Sequence, residues 1–283
     1  AGLVTTPNDF GVQGQLPSHP ELLDFMALHF NQDWDVKALL KKMVLSQTYQ
    51  QQSLSNEILD QKDPNNLLLA RANASRLPAE IIRDNALKVS GLLNPKFGGE
   101  SVRPYQPKGL WKEKNNFSTY LFEYQESKGE DLYRRGLYTF IRRTSPPPNM
   151  LTFDATSREI CTVKRDVTST PLQALVLLND PQFFEASRIF AERMIKSKDT
   201  LEKQIGHGFR LATSRNPKKE ELEILVELYN SQYQYFRENR DKAYQVLSVG
   251  EKPRDTKINR AQSAAMTMVA NTLLNHNETY TKR

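Results

Sequence analysis

The sequence predicts a mainly α fold: a helical bundle-like domain with a long irregular insertion rich in proline, glycine and aromatics, and at most a short strand pair. Three observations carry that expectation. Apolar residues recur at helical spacing near both ends of the chain, capping side chains beside proline punctuate those stretches, and between them the periodicity disappears. With 283 residues, one large domain or two closely packed ones are both open. The expected division is a single mainly helical domain over 1–283, with N-terminal helices over 1–93, a loop-rich segment over 94–170 and C-terminal helices over 171–283.

In the first region, Ser18-His19-Pro20-Glu21 reads as a capping box with an early proline, followed by Leu22, Leu23, Met26 and Phe30 at helical spacing. Asp35 is the expected cap of a second helix striped by Val36, Leu39, Leu40, Met43 and Val44. Pro78 opens a third, with Ile82, Ala86 and Val89 in register and Gly91 as its stop.

From 94 to about 131, Pro95, Pro104 and Pro107 alternate with Gly98, Gly99 and Gly109, among Phe97, Tyr105, Trp111, Phe117 and Tyr120. Disordered segments are poor in aromatics, which argues against plain disorder here. Leu137 to Ile141 reads as a strand or a helix end, and Pro146 to Pro148 as an extended stretch. Thr170-Pro171, Asp180-Pro181 and Asn216-Pro217 each pair a cap with proline at the first helical position. The last of these opens a face of Leu222, Leu225, Val226, Tyr229, Tyr233 and Phe236, and a final helix over 261–274 carries Ala261, Ala264 and Ala265 for close packing.

Composition is globular, with 38% hydrophobic and 25% charged residues. No apolar run approaches the ~20 residues that span a bilayer, so no transmembrane segment is expected. The net charge of +6 is modest and its Lys and Arg alternate with acids, which places nucleic acid last among the partners considered. One cysteine, Cys161, excludes an internal disulfide and any Cys-Xaa-Xaa-Cys-His haem attachment within these residues. With no histidine near it in sequence, it is expected to be a small buried residue. No cofactor and no metal site are expected within the chain. Its start at Ala1, without a basic-then-apolar leader, is expected of a mature product or a piece of a longer protein.

No phosphate-cradling glycine loop, His-Glu-Xaa2-His or Gly-Xaa-Ser-Xaa-Gly occurs. His19, His29, His207 and His276 lie far apart, and His207, between Gly206 and Gly208, is the most suggestive because glycines allow close approach. The densest polar segment runs from Arg142 to Asp180. On a structural reading, Arg142, Arg143, Arg158 and Arg165 pair with Asp154, Glu159 and Asp166 to hold a crossover in place. On a functional reading those arginines converge on an anion or anionic glycan, and Asp154 or Glu159 is the acid–base candidate. The structural reading weighs more, because such networks are often only scaffolding. Tyr105, Trp111 and Tyr120 form either a stacking platform for sugars or the loop's own small core, and the second is favoured.

Five stretches then read together: Gly2-Leu3-Val4 through Thr6-Pro7-Asn8-Asp9-Phe10-Gly11 to Pro17–Leu23; Arg76-Leu77-Pro78-Ala79-Glu80-Ile81-Ile82-Arg83-Asp84; Tyr105-Gln106-Pro107-Lys108-Gly109-Leu110-Trp111; Phe153-Asp154-Ala155 to Arg158-Glu159; and Thr170–Leu175 to Leu178-Asn179-Asp180-Pro181. In this order they resemble the planctomycete-type C-terminal domain known as domain of unknown function 1553. The resemblance implies an extracytoplasmic, periplasmic or similarly placed, multidomain bacterial protein. It implies haem c in an upstream cytochrome-like domain, ties to polysaccharide use, and partners among the parent's other domains or a partner protein. It supplies no established activity and no catalytic residues. It also leads one to expect that the chain lacks the first residues of the family's domain. Asn277 stands before Glu278 where family members tend to carry aspartate, which argues against a paired-carboxylate role there. The function this favours is an accessory, interaction-making module; the alternative is an anion- or glycan-binding or hydrolysing domain.

Overall fold

A computed structural model describes residues 2–9, 11–112 and 123–282. Among them are 13 α-helices and a two-stranded antiparallel sheet pairing β1 (Ser75–Arg76) with β2 (Thr281–Lys282), so the fold is mainly α. The chain divides into two compact units: Ala1–Arg76 with Cys161–Arg165 and Thr281–Arg283, and Leu77–Ile160 with Asp166–Tyr280.

The first unit holds α1 (Pro20–Asn31), α2 (Val36–Val44), α3 (Gln47–Gln50), α4 (Glu57–Lys62) and the sheet. Asp35 caps α2 as expected, accepting from the Ala38 N–H at 3.0 Å. The capping box expected at Ser18 does not form. Pro20 occupies the first helical position, which makes His19 the cap, and the Ser18 hydroxyl instead meets the Leu3 carbonyl at 3.3 Å. None of the residues in these four helices is buried. The unit's buried positions among the described residues are polar: Asp63 accepts from the Leu67 and Leu68 N–H groups, and Asn66 donates to the Arg71 carbonyl. They fix a turn by side chain-to-backbone bonds, not by apolar packing.

The second unit contains the apolar core. Its helices are α5 (Ala79–Ser90), α6 (Pro148–Thr152), α7 (Pro171–Asn179), α8 (Pro181–Ser197), α9 (Leu201–Thr213), α10 (Lys219–Glu238), α11 (Arg240–Leu247), α12 (Arg260–Leu274) and α13 (Asn277–Tyr280). The helices α8 and α12 form the central pair, flanked by α5, α9, α10 and α11. The small residues expected to permit close packing are buried, Ala261, Ala264 and Ala265 of α12, and α8 adds the fully buried Ala186 and Ala191. Gly91 ends α5 at φ 88, a left-handed conformation that glycine adopts without strain.

Asp180 caps α8 through the Gln182 N–H at 2.9 Å, again as expected. The helix expected at Asn216-Pro217 begins two residues later, where Glu221 folds back to accept from the Lys218 N–H at 2.7 Å. Pro148 does not extend the polyproline stretch but opens α6, since its fixed φ suits the first helical turn. Helices α3, α4, α6, α9, α11 and α13 are additions to the expected set; glycines at 206 and 208 mask α9.

The long loop packs around Trp111, 2% exposed, with Tyr124 edge-on at 5.0 Å and Phe140 at 5.8 Å. Arg142 lies over the Trp111 ring at 5.2 Å. The loop therefore has its own small core, and a buried Trp111 cannot serve a sugar-stacking platform. Phe117 and Tyr120 lie outside the described residues.

Candidate functional site

The expected polar cluster is spread along the surface. Arg143, Arg158, Glu159 and Asp166 are exposed, Arg142 is half-buried against Trp111, and Arg165 falls in the first unit. Asp154 is engaged with backbone: its carboxylate accepts from the Thr168 N–H at 2.8 Å and from the Thr168 hydroxyl at 3.0 Å. Thr168 in turn accepts from Gln173 Nε2 on α7, so Asp154 fixes the approach to that helix. Asp154 and Arg158 both take a positive φ, 58 and 61, as tight turns in this crossover require. Cys161 is exposed, which corrects the buried position expected for it: no apolar layer forms over residues 157–164, all of which are exposed.

The second unit gathers polar side chains elsewhere, beneath its surface. Arg83 of α5 is 3% exposed; its Nε donates to Gln182 at 2.8 Å and its Nη2 to the Leu132 carbonyl at 2.7 Å, while Nη1 meets the Arg134 carbonyl. Burial lowers its pKa to about 10, against the pull of Asp84 and Asp180. Asp84 accepts from the Gly136 N–H at 2.6 Å. Together Arg83 and Asp84 lock the chain over 132–136 onto α5.

A second buried group lies on α8. Glu185, fully buried, accepts from the Tyr105 and Tyr133 hydroxyls, each at 2.9 Å, and from the Lys252 N–H at 2.7 Å. Arg188, also fully buried, donates to the Val249 carbonyl at 3.1 Å and to the Lys252 carbonyl. Burial, with the neighbouring Glu185 charge, pushes both tyrosine pKa values up, and burial lowers that of Arg188. Charged pairs this deep tie the 249–252 loop to α8. A cleft of about 520 Å³ beside them includes Glu251, but that carboxylate already accepts from the Gly129 N–H at 2.7 Å.

Another cleft of about 520 Å³ has a different character. Its walls are apolar: Tyr105, Pro107, Pro148, Leu172, Leu175 and Pro181. Leu172 and Leu175 are more than half exposed, at 56% and 53%. Three polar groups converge on it. Asn149 donates to Asp180 at 3.1 Å, Asp180 is raised above the usual carboxylate range by burial, and Gln106 Nε2 is buried with no hydrogen-bond partner. An apolar cavity with a few convergent polar groups is the form that ligand sites commonly take.

Segments far apart in sequence, 105–107, 148–152 and 172–181, meet in this cleft, and two of them are among the stretches that carry the family resemblance. The family model described as Protein of unknown function (DUF1553), PSD1, matches residues 1–229. The chain belongs to the DUF1553 family. No match to it was found among curated proteins or solved structures. Among the described residues, no group of three or more His, Cys, Asp or Glu is arranged to hold a metal ion, and no helix is long and apolar enough to cross a membrane.

Two resemblance stretches of this DUF1553 chain thereby acquire a physical role. Arg83-Asp84 is a buried clamp, and Asn179-Asp180-Pro181 is both a helix start and a cleft wall. Sequence reading missed Glu185, Arg188 and Glu192. Their signal was present: spaced by three and four, they fall on one stripe of a helix that is apolar around them.

Proposed function

We propose that this domain is an interaction module of a larger extracytoplasmic protein, and that its cleft docks an extended apolar peptide segment from another domain of that protein. The observation that carries the reading is the combination of apolar walls with the unpartnered Gln106 Nε2. Leucine and proline walls suit apolar side chains, and a buried amide donor seeks a carbonyl such as peptide backbone supplies. In the same reading, which follows the family resemblance, any haem c belongs to an upstream domain; one cysteine cannot make the Cys-Xaa-Xaa-Cys-His attachment within this chain.

Titrating the purified domain with short overlapping peptides that tile its parent protein tests this. One apolar peptide should bind saturably, and Leu175→Asp and Gln106→Ala should each weaken it. Binding that ignores both substitutions, or a cleft that responds to neutral or sulfated oligosaccharides and to no peptide, would overturn the reading.

A further inference from the structure

Packing accounts for one of the two glycines that flank His207 in α9. A Cβ on Gly208 would lie 2.5 Å from Met194 Cε, so glycine there leaves room for the buried methionine between α9 and α8. A Cβ on Gly206 would meet nothing nearer than Pro217 Cγ at 4.0 Å. Glycine inside a helix nevertheless costs about 1 kcal/mol relative to alanine. Gly206 forms part of a cleft of about 610 Å³ that is otherwise lined by Lys198, Asp199, Lys203, His207, Arg210 and Asn216.

The charge around this bare stretch of helix is lopsided. Lys203 and Arg210 come from α9 and Lys198 from the turn before it; none of the three makes an ion pair among the described residues. Asp199 is the acid on this rim. On the other side of His207 an adjoining cleft adds Arg193 and Lys196 of α8, with Ser90 of α5. Lys196 is paired with Asp255 at 2.7 Å, Arg193 donates to the Val89 carbonyl at 2.7 Å, and Glu192 accepts from the Asp255 N–H at 3.0 Å. Cations that outnumber the acids around them raise the local potential and favour an anion. Burial, then the charges of Lys198, Arg193 and Arg210, hold the His207 imidazole below its ordinary range.

We propose that Lys198, Lys203, His207 and Arg210, over the bare backbone of Gly206, form a binding site for a tetrahedral oxyanion, a sulfate or phosphate group. The lysines and arginine supply charge-assisted donors, the imidazole supplies a further N–H, and the missing side chain at 206 leaves the floor open. An arriving anion favours the imidazolium, so affinity rises as pH falls through the His207 titration. This site shares no residue with the peptide cleft and stands or falls independently of it.

The test is a sulfate titration of the intact chain, followed through the His207 imidazole resonance, at constant ionic strength with chloride as reference. Sulfate should give a saturable shift and chloride none, with tighter binding at about pH 5 than at about pH 7.5, the lower value set well under the usual histidine pKa because His207 is held down. Methyl sulfate and methyl phosphate arms distinguish the two ester sources. Lys203→Ala combined with Arg210→Ala should weaken binding about tenfold or more. Gly206→Leu should abolish it while the chain stays folded by circular dichroism. Arg240→Ala, in a separate basic cleft with Arg237 and Arg260, should leave it unchanged. Absence of a saturable shift, an affinity independent of pH, unaltered binding in Gly206→Leu, or equal weakening by Arg240→Ala would overturn the assignment.

Discussion

In the first unit the apolar stripes of α1 and α2 are at most partly covered: Leu22, Leu23, Val36 and Leu40 are exposed, and Met26, Phe30, Leu39 and Met43 are half-buried. In the second, Phe183, Ala186, Phe190 and Met194 repeat the same helical spacing along α8 and are 3% exposed or less. The pattern in sequence is alike, and the outcome differs. Amphipathic spacing dictates which side of a helix is apolar; whether that side is covered depends on what else the chain brings to it. The second unit also buries charge, Glu185 and Arg188, and can do so because hydroxyls, carbonyls and N–H groups surround both.

The largest effects should come from the second unit. Glu185→Ala removes one of the two acids 3.8 Å from the Arg188 guanidinium, Glu192 being the other, strips two tyrosine hydroxyls of their acceptor, and should cost about 3–5 kcal/mol in urea unfolding. Phe190→Ala removes a fully buried ring and should cost about 3–5 kcal/mol as well. If Glu185→Ala proved neutral, the loop over 249–252 would be held by something other than this network.

Gly250→Ala should follow, at about 1–3 kcal/mol. Gly250 has φ 88, and a Cβ there would sit 2.2 Å from Glu185 Cδ. Thermal unfolding of the variant checks this.

A pH effect comes next. Arg215 bonds both Glu221 and Glu278 at 2.6 Å, and that hydrogen bonding holds the Glu221 carboxyl down at about 2 against an ordinary 4.5. Because the folded pKa is depressed, the stabilisation is complete above pH 4.5 and is lost as pH falls towards about 2. Arg215→Met should flatten the stability curve over that window.

The smallest effect is expected in the first unit, where Phe25→Ala should change stability by no more than about 0.5 kcal/mol. An effect as large as that of Phe190→Ala would erase the contrast between the units.

Much of the architecture was legible one residue at a time. Asp35, Gly91 and Asp180 announced helix boundaries because capping and left-handed φ are local chemistry. Ser18 misled by one position, since the choice between adjacent caps rests on where Pro20 lies. The candidate site was less legible. The arginine-rich crossover drew attention through composition, yet Arg143 and Arg158 ended exposed, and Asp154 bonds Thr168. The cleft around Leu172 and Leu175, by contrast, is assembled from segments whose proximity no local rule contains.

By itself the sequence determined the fold class, most of the helices and the family, because helical periodicity, caps and long motifs are written in consecutive residues. Only the tertiary structure decided that Glu185 and Arg188 are buried, that Cys161 is exposed, and that Gly206 opens beside three cations and a single acid. Burial, cavities and local potential are sums over neighbours distant in the chain, and those sums exist only once the helices have packed.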